Sequence, residues 1–237
     1  MAEMVTLTID GLKIHAPAGT TILEAATDAN IYIPHLCSNE ELAPYGACRL
    51  CMVEITQGER ARLVASCIFE VADGLEVKTN TERVLNVRRL VMELLLSRNN
   101  KHPALLKIAD ELGVKETRFP VEQKGCILCG QCVRTCREVV GVSAIGFSGR
   151  GITRKIATPF MEAPPDCIAC GSCVYVCPVQ VIPMKEENGV RTIMKYDYPM
   201  QKCRKCGQYF APKKQLEYFS KITNLPLEHF ETCVNCR

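Results

Sequence analysis

Alternation of apolar and polar positions marks the first eighty residues. Residues 5–9 and 12–16 alternate on either side of Asp10-Gly11, a turn-favouring pair, and predict a β-hairpin. Thr21 is placed to cap a helix through about residue 30, with Glu24 positioned to complete a capping box. Further strands are expected near 51–56, 61–67 and 75–79. From residue 80 the period becomes helical. Asn80 or Thr81 caps a helix to about Arg98, on which Val84, Val87, Val91, Leu94 and Leu95 recur at helical spacing. Residues 103–112 predict a second short helix ending at Gly113. Farther on, the stretches 144–147 and 154–158 flank Gly149, Arg150 and Gly151 and predict another hairpin, after which Pro164-Pro165 leads the chain onward.

Composition adds a compartment. At 237 residues, 47% hydrophobic and 23% charged, the chain is ordinary globular material, enough for two or three small domains. The most apolar helix-like stretch, 90–96, is short and broken by Glu93, so no membrane span is expected. The start, MAEMVTLTIDG, has no basic region followed by an apolar one, so no secretory leader is readable. Sixteen cysteines then change the picture, because such a count means either a disulfide scaffold or metal sites. A cytoplasmic, reduced protein is expected, in which Cys-x-x-Cys pairs mean metal or redox chemistry. The formal charge of +3 counts every thiol as neutral. Four sites of four thiolates, each carrying about −2 with its metal, would bring it to roughly −5. No Lys/Arg run with interleaved aromatics occurs, so no nucleic-acid partner is expected.

The cysteines fall into four groups of four. Cys126, Cys129, Cys132 and Cys136 form a C-x2-C-x2-C-x3-C run, and Cys167, Cys170, Cys173 and Cys177 repeat it, followed by Pro178. Such a run wraps one face of a [4Fe–4S] cube while its fourth cysteine ligates the other cluster. One cluster is therefore expected on Cys126, Cys129, Cys132 and Cys177, the other on Cys167, Cys170, Cys173 and Cys136. Gly130 and Gly171 sit at matching positions where the backbone must turn tightly. Arg137 stands where the pattern has proline after the first run. Two structural zinc sites are the alternative, disfavoured by the repeated spacing.

Cys37, Cys48, Cys51 and Cys67 resemble a plant-type [2Fe–2S] arrangement, with longer spacing, on strands and a helix in β-grasp order. Gly46-Ala47 supplies small residues for a loop closing over a cluster. Four buried thiols of a mixed domain are the alternative. Cys203, Cys206, Cys233 and Cys236 form two C-x2-C knuckles and are read as a structural Zn2+ site, with a further iron–sulfur cluster as the alternative. His15, His35 and His229 have no spaced partners and are read as surface or local groups. No G-x-G-x-x-G after a strand and no P-loop occur, so the chain shows no nucleotide, flavin or catalytic site of its own. The fold class expected is α+β. A β-grasp [2Fe-2S] ferredoxin domain (1–80) leads into a helical linker (81–120). A bacterial-type 2[4Fe-4S] ferredoxin domain (121–195) and a small four-cysteine, zinc-ribbon-like tail (196–237) follow.

The run Cys126-Ile-Leu-Cys-Gly-Gln-Cys-Val-Arg-Thr-Cys136, the stretch Gly141-Val-Ser-Ala-Ile-Gly-Phe147, then Arg150-Gly151 and Thr158-Pro-Phe160 carry a resemblance. With the first cysteine group, residues 3–185 resemble the iron–sulfur region of the 75 kDa-type subunit of NADH dehydrogenase. The same module occurs in diaphorase small subunits of NAD-reducing hydrogenases, in [FeFe]-hydrogenases and in NAD-linked formate dehydrogenases. That family carries another [4Fe–4S] cluster on His-x3-Cys-x2-Cys-x5-Cys. Here His102 is followed by Leu106, Ala109 and Lys115 in place of the cysteines, so this cluster is expected to be absent.

The resemblance implies an electron-transfer subunit of a cytoplasmic NAD(P)-linked oxidoreductase complex. Electrons would pass between a flavin-bearing NADH-binding subunit and a second catalytic oxidoreductase subunit. The chain ends without the large catalytic domains of its relatives, which implies a small separate subunit. The missing histidine-ligated cluster points toward an electron-bifurcating complex; transhydrogenase, hydrogenase and formate dehydrogenase types are the candidates. A free-standing multi-cluster carrier is the alternative, and a redox-sensing regulator a weaker one.

Overall fold

The computed structural model describes residues 3–58, 60–122 and 124–237. The chain divides into two compact units, Met1–Gly130 and Gln131–Arg237.

In the first unit β1 (Met4–Ile9) and β2 (Leu12–Pro17) pair antiparallel, with Leu7 opposite Ile14 and Ile9 opposite Leu12. Asp10 and Gly11 are both left-handed (φ 48° and 85°), the geometry that suits a tight hairpin to the strand twist. The helix α1 (Ile22–Asp28) begins with the expected capping box: the Thr21 N–H donates to Glu24 Oε2 at 2.7 Å, and the Glu24 N–H to Thr21 Oγ1 at 3.3 Å. Strands β3 (Met52–Gln57), β4 (Arg60–Ala65) and β5 (Glu76–Lys78) complete a sheet of order β2-β1-β5-β3-β4. Only β1 and β5 run parallel, so the chain crosses over between them. Ile22, Leu23, Ala25 and Ala26 of α1 join Leu7, Ile9, Val53, Ile55 and Val77 in one core. Each large aliphatic side chain there contributes about 1.5–3 kcal/mol.

The helices α2 (Glu82–Arg98) and α3 (Pro103–Glu111) follow. Thr81 caps α2, and Gly113 (φ 70°) follows α3, as the sequence indicates. The buried stripe of α2 differs from expectation. It runs Val84, Arg88, Met92, Leu95 and Leu96, stepping mostly by four, while Leu94 is 47% exposed.

The second unit opens with α4 (Gln131–Arg134), which widens into a π-helical turn at Thr135–Val139. The insert forms the expected hairpin, β6 (Gly146–Ser148) with β7 (Lys155–Ala157). After α5 (Ser172–Tyr175) comes an antiparallel sheet of order β11-β10-β9-β8. Its strands are β8 (Met184–Glu187), β9 (Val190–Ile193), β10 (Tyr196–Lys202) and β11 (Tyr209–Pro212). The sheet is continuous across 195/196, where Tyr196 pairs with Ile193. The helix α6 (Lys213–Thr223) buries Leu216 and packs on β10 and β11. No helix among the described residues is long and apolar enough to cross a membrane.

Candidate metal centres

Cys37, Cys48 and Cys51 lie on the long connection between α1 and β3, and Cys67 follows β4. All four are buried. The Cys48 N–H donates to Cys37 Sγ at 3.3 Å. The Cys37 side chain meets those of Cys48 and Cys67, and Cys67 also meets Cys51, so the four sulfurs form one group. Hydrogen bonds from Cys48 and Cys67 hold the Cys37 thiol down, and a bond from Cys67 lowers Cys51 to about 6. The Cys48 and Cys67 thiols are pushed up, chiefly by hydrogen bonds to Cys37. Only part of such a crowded set ionises without a cation, and its donors are sulfur alone, which suits iron–sulfur chemistry. Gly46 in this loop has φ 68°, and a Cβ there would meet Ile68 at 3.1 Å.

Sequence reasoning missed Arg88. This guanidinium is 2% exposed and donates twice to the Met52 carbonyl, from Nε at 3.0 Å and from the second terminal nitrogen at 2.7 Å. Burial lowers its pKa, and the Cys51 thiolate opposes that shift most strongly, so the cation lies beside a cluster-type sulfur. The available signal was its register: Arg88 falls midway between Val84 and Met92 on the buried stripe of α2.

The two cysteine runs share a backbone signature. Leu128 and Gly130 are left-handed (φ 56° and 79°), and so are Ala169 and Gly171 (φ 54° and 83°), at matching positions. A Cβ at Gly171 would meet the Met184 sulfur at 3.1 Å. Cys126 and Cys129 lie in the first unit, Cys132 and Cys177 in the second. The Leu128 N–H points at Cys126 Sγ from 3.4 Å.

Within the second unit Cys136 joins the other run. The Cys173 thiol is pushed up to about 12 by burial and then by Cys170, Cys167 and Cys136. Burial also raises Cys136, whose sulfur accepts the Ala144 N–H at 3.2 Å. The Tyr198 phenol is raised by burial and by its hydrogen bond to Cys167. Cys136 therefore lies with the later run, where a crosswise grouping needs it. Arg137 is consistent with this path, because a proline there would push Cys136 out of the helical region in which it sits.

The tail assembles most tightly. The ligand atoms of Cys203, Cys206, Cys233 and Cys236 all lie within 4.8 Å of one another, and the Cys206 and Cys233 sulfurs are 3.8 Å apart. Tetrahedral thiolates at a metal–sulfur distance of about 2.3 Å are separated by about 3.8 Å. Backbone N–H groups of Cys206 and Cys233 lead in lowering Cys203 to about 6, and Gly207 turns the first knuckle at φ 74°.

Where the resemblance places a histidine and three cysteines, the chain has His102, Leu106, Ala109 and Lys115. His102 instead caps α3, its Nδ1 accepting the Ala104 N–H at 3.2 Å. Ala109 is buried, and exposed Leu106 and Lys115 line a cavity of about 260 Å³ with Leu96 and Asn100. The other histidines have local partners: His15 at Thr6, His35 at the Ile33 carbonyl and His229 at the Phe230 ring.

These features define a multi-cluster iron–sulfur protein of ferredoxin type. A family profile described as a 2Fe-2S iron-sulfur cluster binding domain matches residues 2–82, and one described as a 4Fe-4S dicluster domain matches residues 166–208. The NADH-ubiquinone oxidoreductase 75 kDa subunit of Reclinomonas americana is 34% identical over 183 residues, 65% of this chain and 26% of that protein. The NADP-reducing hydrogenase subunit HndD of Solidesulfovibrio fructosivorans is 35% identical over 188 residues, 67% of this chain and 32% of that protein. A chain in the crystal structure of an NAD+-reducing [NiFe]-hydrogenase in the H2-reduced state superposes with a TM-score of 0.64 at 30% identity. That match covers 74% of this chain and 85% of the other. The chain belongs to the iron–sulfur electron-transfer family shared by NADH dehydrogenase 75 kDa-type subunits and NAD(P)-linked hydrogenases. It spans between about a quarter and a third of the length of these curated relatives.

Proposed function

We propose that this chain relays single electrons inside a cytoplasmic NAD(P)-linked oxidoreductase complex, between a flavin-bearing NADH-binding subunit and a second catalytic subunit. Cys37, Cys48, Cys51 and Cys67 hold one [2Fe–2S] cluster in a β-grasp domain, 1–80. Cys126, Cys129, Cys132 and Cys177 hold one [4Fe–4S] cluster, and Cys136, Cys167, Cys170 and Cys173 a second, in a dicluster domain, 121–195. The helical segment 81–120 joins them without a cluster of its own. Cys203, Cys206, Cys233 and Cys236 hold Zn2+ in the tail, 196–237.

The observation that carries this reading is the gathering of Cys136 with Cys167, Cys170 and Cys173, because a crosswise fourth ligand belongs to two-cluster ferredoxins. Bound clusters supply one-electron chemistry, which matches a flavin that accepts hydride and gives up electrons singly. The chain's own groups tune that chemistry. The N–H groups on Cys37, Cys126 and Cys136 favour the more negative reduced state, and the buried Arg88 does the same at the first site. The loss of thiolates at Leu106, Ala109 and Lys115 supports a rerouted relay of the bifurcating type.

A second reading places a cluster in the tail, and the dicluster match running through Cys203 and Cys206 favours it. The sulfur spacing supports the mononuclear site instead, since a four-iron cube holds its thiolates farther apart. Anaerobic size-exclusion of the native protein from its own cells tests the relay. Co-elution with flavin and NADH-reducible clusters is expected, and elution as the single chain alone contradicts it.

A further inference from the structure

The insert between the cysteine runs carries a feature that neither the clusters nor the tail uses. After β7 the chain turns through Pro159–Met161, where Phe160 (φ 52°) and Met161 (φ 60°) are both left-handed. Residues with a Cβ enter that region at a cost, and two in succession persist only where their surroundings over-determine them. Here they do. The Tyr196 hydroxyl donates to the Met161 carbonyl at 2.7 Å, and the buried Thr158 hydroxyl lies 3.0 Å from the same phenol oxygen. The consequence is a phenyl ring, Phe160, 94% exposed, with Met161 half-exposed beside it. A hydrogen-bonded, strained turn that holds an aromatic ring in water is the form of an anchor awaiting a pocket.

Beside the turn opens a cavity of about 350 Å³ whose lining includes Lys155, Ile156, Met161, Met194, Lys195 and Tyr196 and, among the described residues, no carboxylate. Lys155 Nζ rests 3.8 Å from the Met161 sulfur, and Lys195 Nζ lies 5.4 Å from the centre of the Tyr196 ring. Among the described residues neither ammonium is in an ion pair. The cavity floor also faces inward. Ile156, Met194 and Tyr196 pack on the same buried apolar cluster, Ile145, Ile182 and Ile193 among it, against which Cys136, Cys167 and Cys173 also pack.

We infer that this face docks a partner subunit against the centre formed by Cys136, Cys167, Cys170 and Cys173. The partner receives Phe160 in an apolar pocket and sets carboxylates against Lys155 and Lys195. The inference rests on the proposed relay function, since it requires that the chain work in a complex. The two lysines without acidic partners supply the charge complementarity, and Phe160 supplies the central aromatic contact that interfaces favour. The apolar cluster shared by the cavity lining and the cysteines places a partner docked on this face on the side of that centre.

Hydrogen exchange tests it, comparing the native complex, purified anaerobically through a tag on the full chain, with the isolated cluster-loaded chain. Exchange at residues 155–161 and 194–196 should slow by about tenfold or more in the complex. Phe160→Ser, and separately Lys155→Glu with Lys195→Glu, should each weaken retention of the partner by about tenfold with iron content unchanged. If the complex forms but these segments exchange as in the isolated chain, the docking face is wrong and the relay function stands. If the chain is recovered alone, the relay function fails and the docking face with it. Unchanged retention in both variants, or equal protection from self-association of the isolated chain, overturns the acidic partner.

Discussion

Replacing Arg88 by methionine removes a buried positive charge from beside the first sulfur group while keeping much of the side chain's length. The guanidinium is fixed by two hydrogen bonds to the Met52 carbonyl, one residue beyond Cys51. That places its charge roughly 8 Å from the middle of the four sulfurs. At an effective dielectric of about 20, a unit charge at roughly 8 Å stabilises an added electron by about 2 kcal/mol. For a one-electron couple, at about 59 mV per tenfold change in equilibrium constant, this is about 90 mV. Arg88→Met should therefore lower the midpoint potential of the [2Fe–2S] centre by about 90 mV, and Arg88→Lys should retain most of it. An anaerobic redox titration followed by electron paramagnetic resonance reads the shift. A potential unchanged to within about 20 mV in Arg88→Met, or an equal fall in Arg88→Lys, would refute the electrostatic reasoning. A separate loss of about 1–3 kcal/mol in stability is expected from the Met52 carbonyl left without its donor.

Thr81→Ala removes the α2 cap and the 2.7 Å bond to Glu54, and should cost about 2 kcal/mol in denaturant unfolding at neutral pH. The Thr81 hydroxyl, then Arg83, holds the Glu54 carboxyl below the usual carboxylate range. Its share is therefore present at neutral pH and lost as pH falls through that lowered value, so the mutant and parent should converge in part once the pH is below the usual carboxylate range. Gly46→Ala forces a side chain into a left-handed position 3.1 Å from Ile68 and should cost about 1–2 kcal/mol. The [2Fe–2S] absorption and resonance signals should weaken first, with those of the [4Fe–4S] centres unchanged. Cys236→Ser should abolish zinc in elemental analysis and lower the melting temperature of the second unit, with iron content unaltered; retained zinc would sink the tail assignment.

Much of the first unit is legible because its signals are local. Asp10-Gly11 demands a left-handed pair, and Thr21 with Glu24 forms a reciprocal cap, so both can be placed from a few residues. The parallel pairing of β1 with β5 depends on partners some seventy residues apart, which no local pattern encodes. The inward face of α2 is misplaced by its periodicity because Arg88 occupies a core position. A pattern of apolar residues skips a buried cation and shifts toward the exposed Leu94. The sheet β8–β11 is hidden by its chemistry. Lys185, Glu186 and Glu187 are exposed and break the alternation of β8, and Pro199 demotes β10 although that strand pairs on both sides. The spacing of the cysteines marks the first set and the tail set that the structure gathers, since tight metal loops constrain sequence separation. The Phe160 turn is legible only as letters, because its left-handed backbone follows from contacts with Tyr196.

Iron, acid-labile sulfide and zinc, counted per chain on anaerobically purified protein, decide what the sixteen cysteines hold. About ten iron, about ten sulfide and about one zinc are expected, from one [2Fe–2S] cluster, two [4Fe–4S] clusters and a mononuclear tail site. About fourteen iron without zinc would contradict that, by making the tail a further cluster.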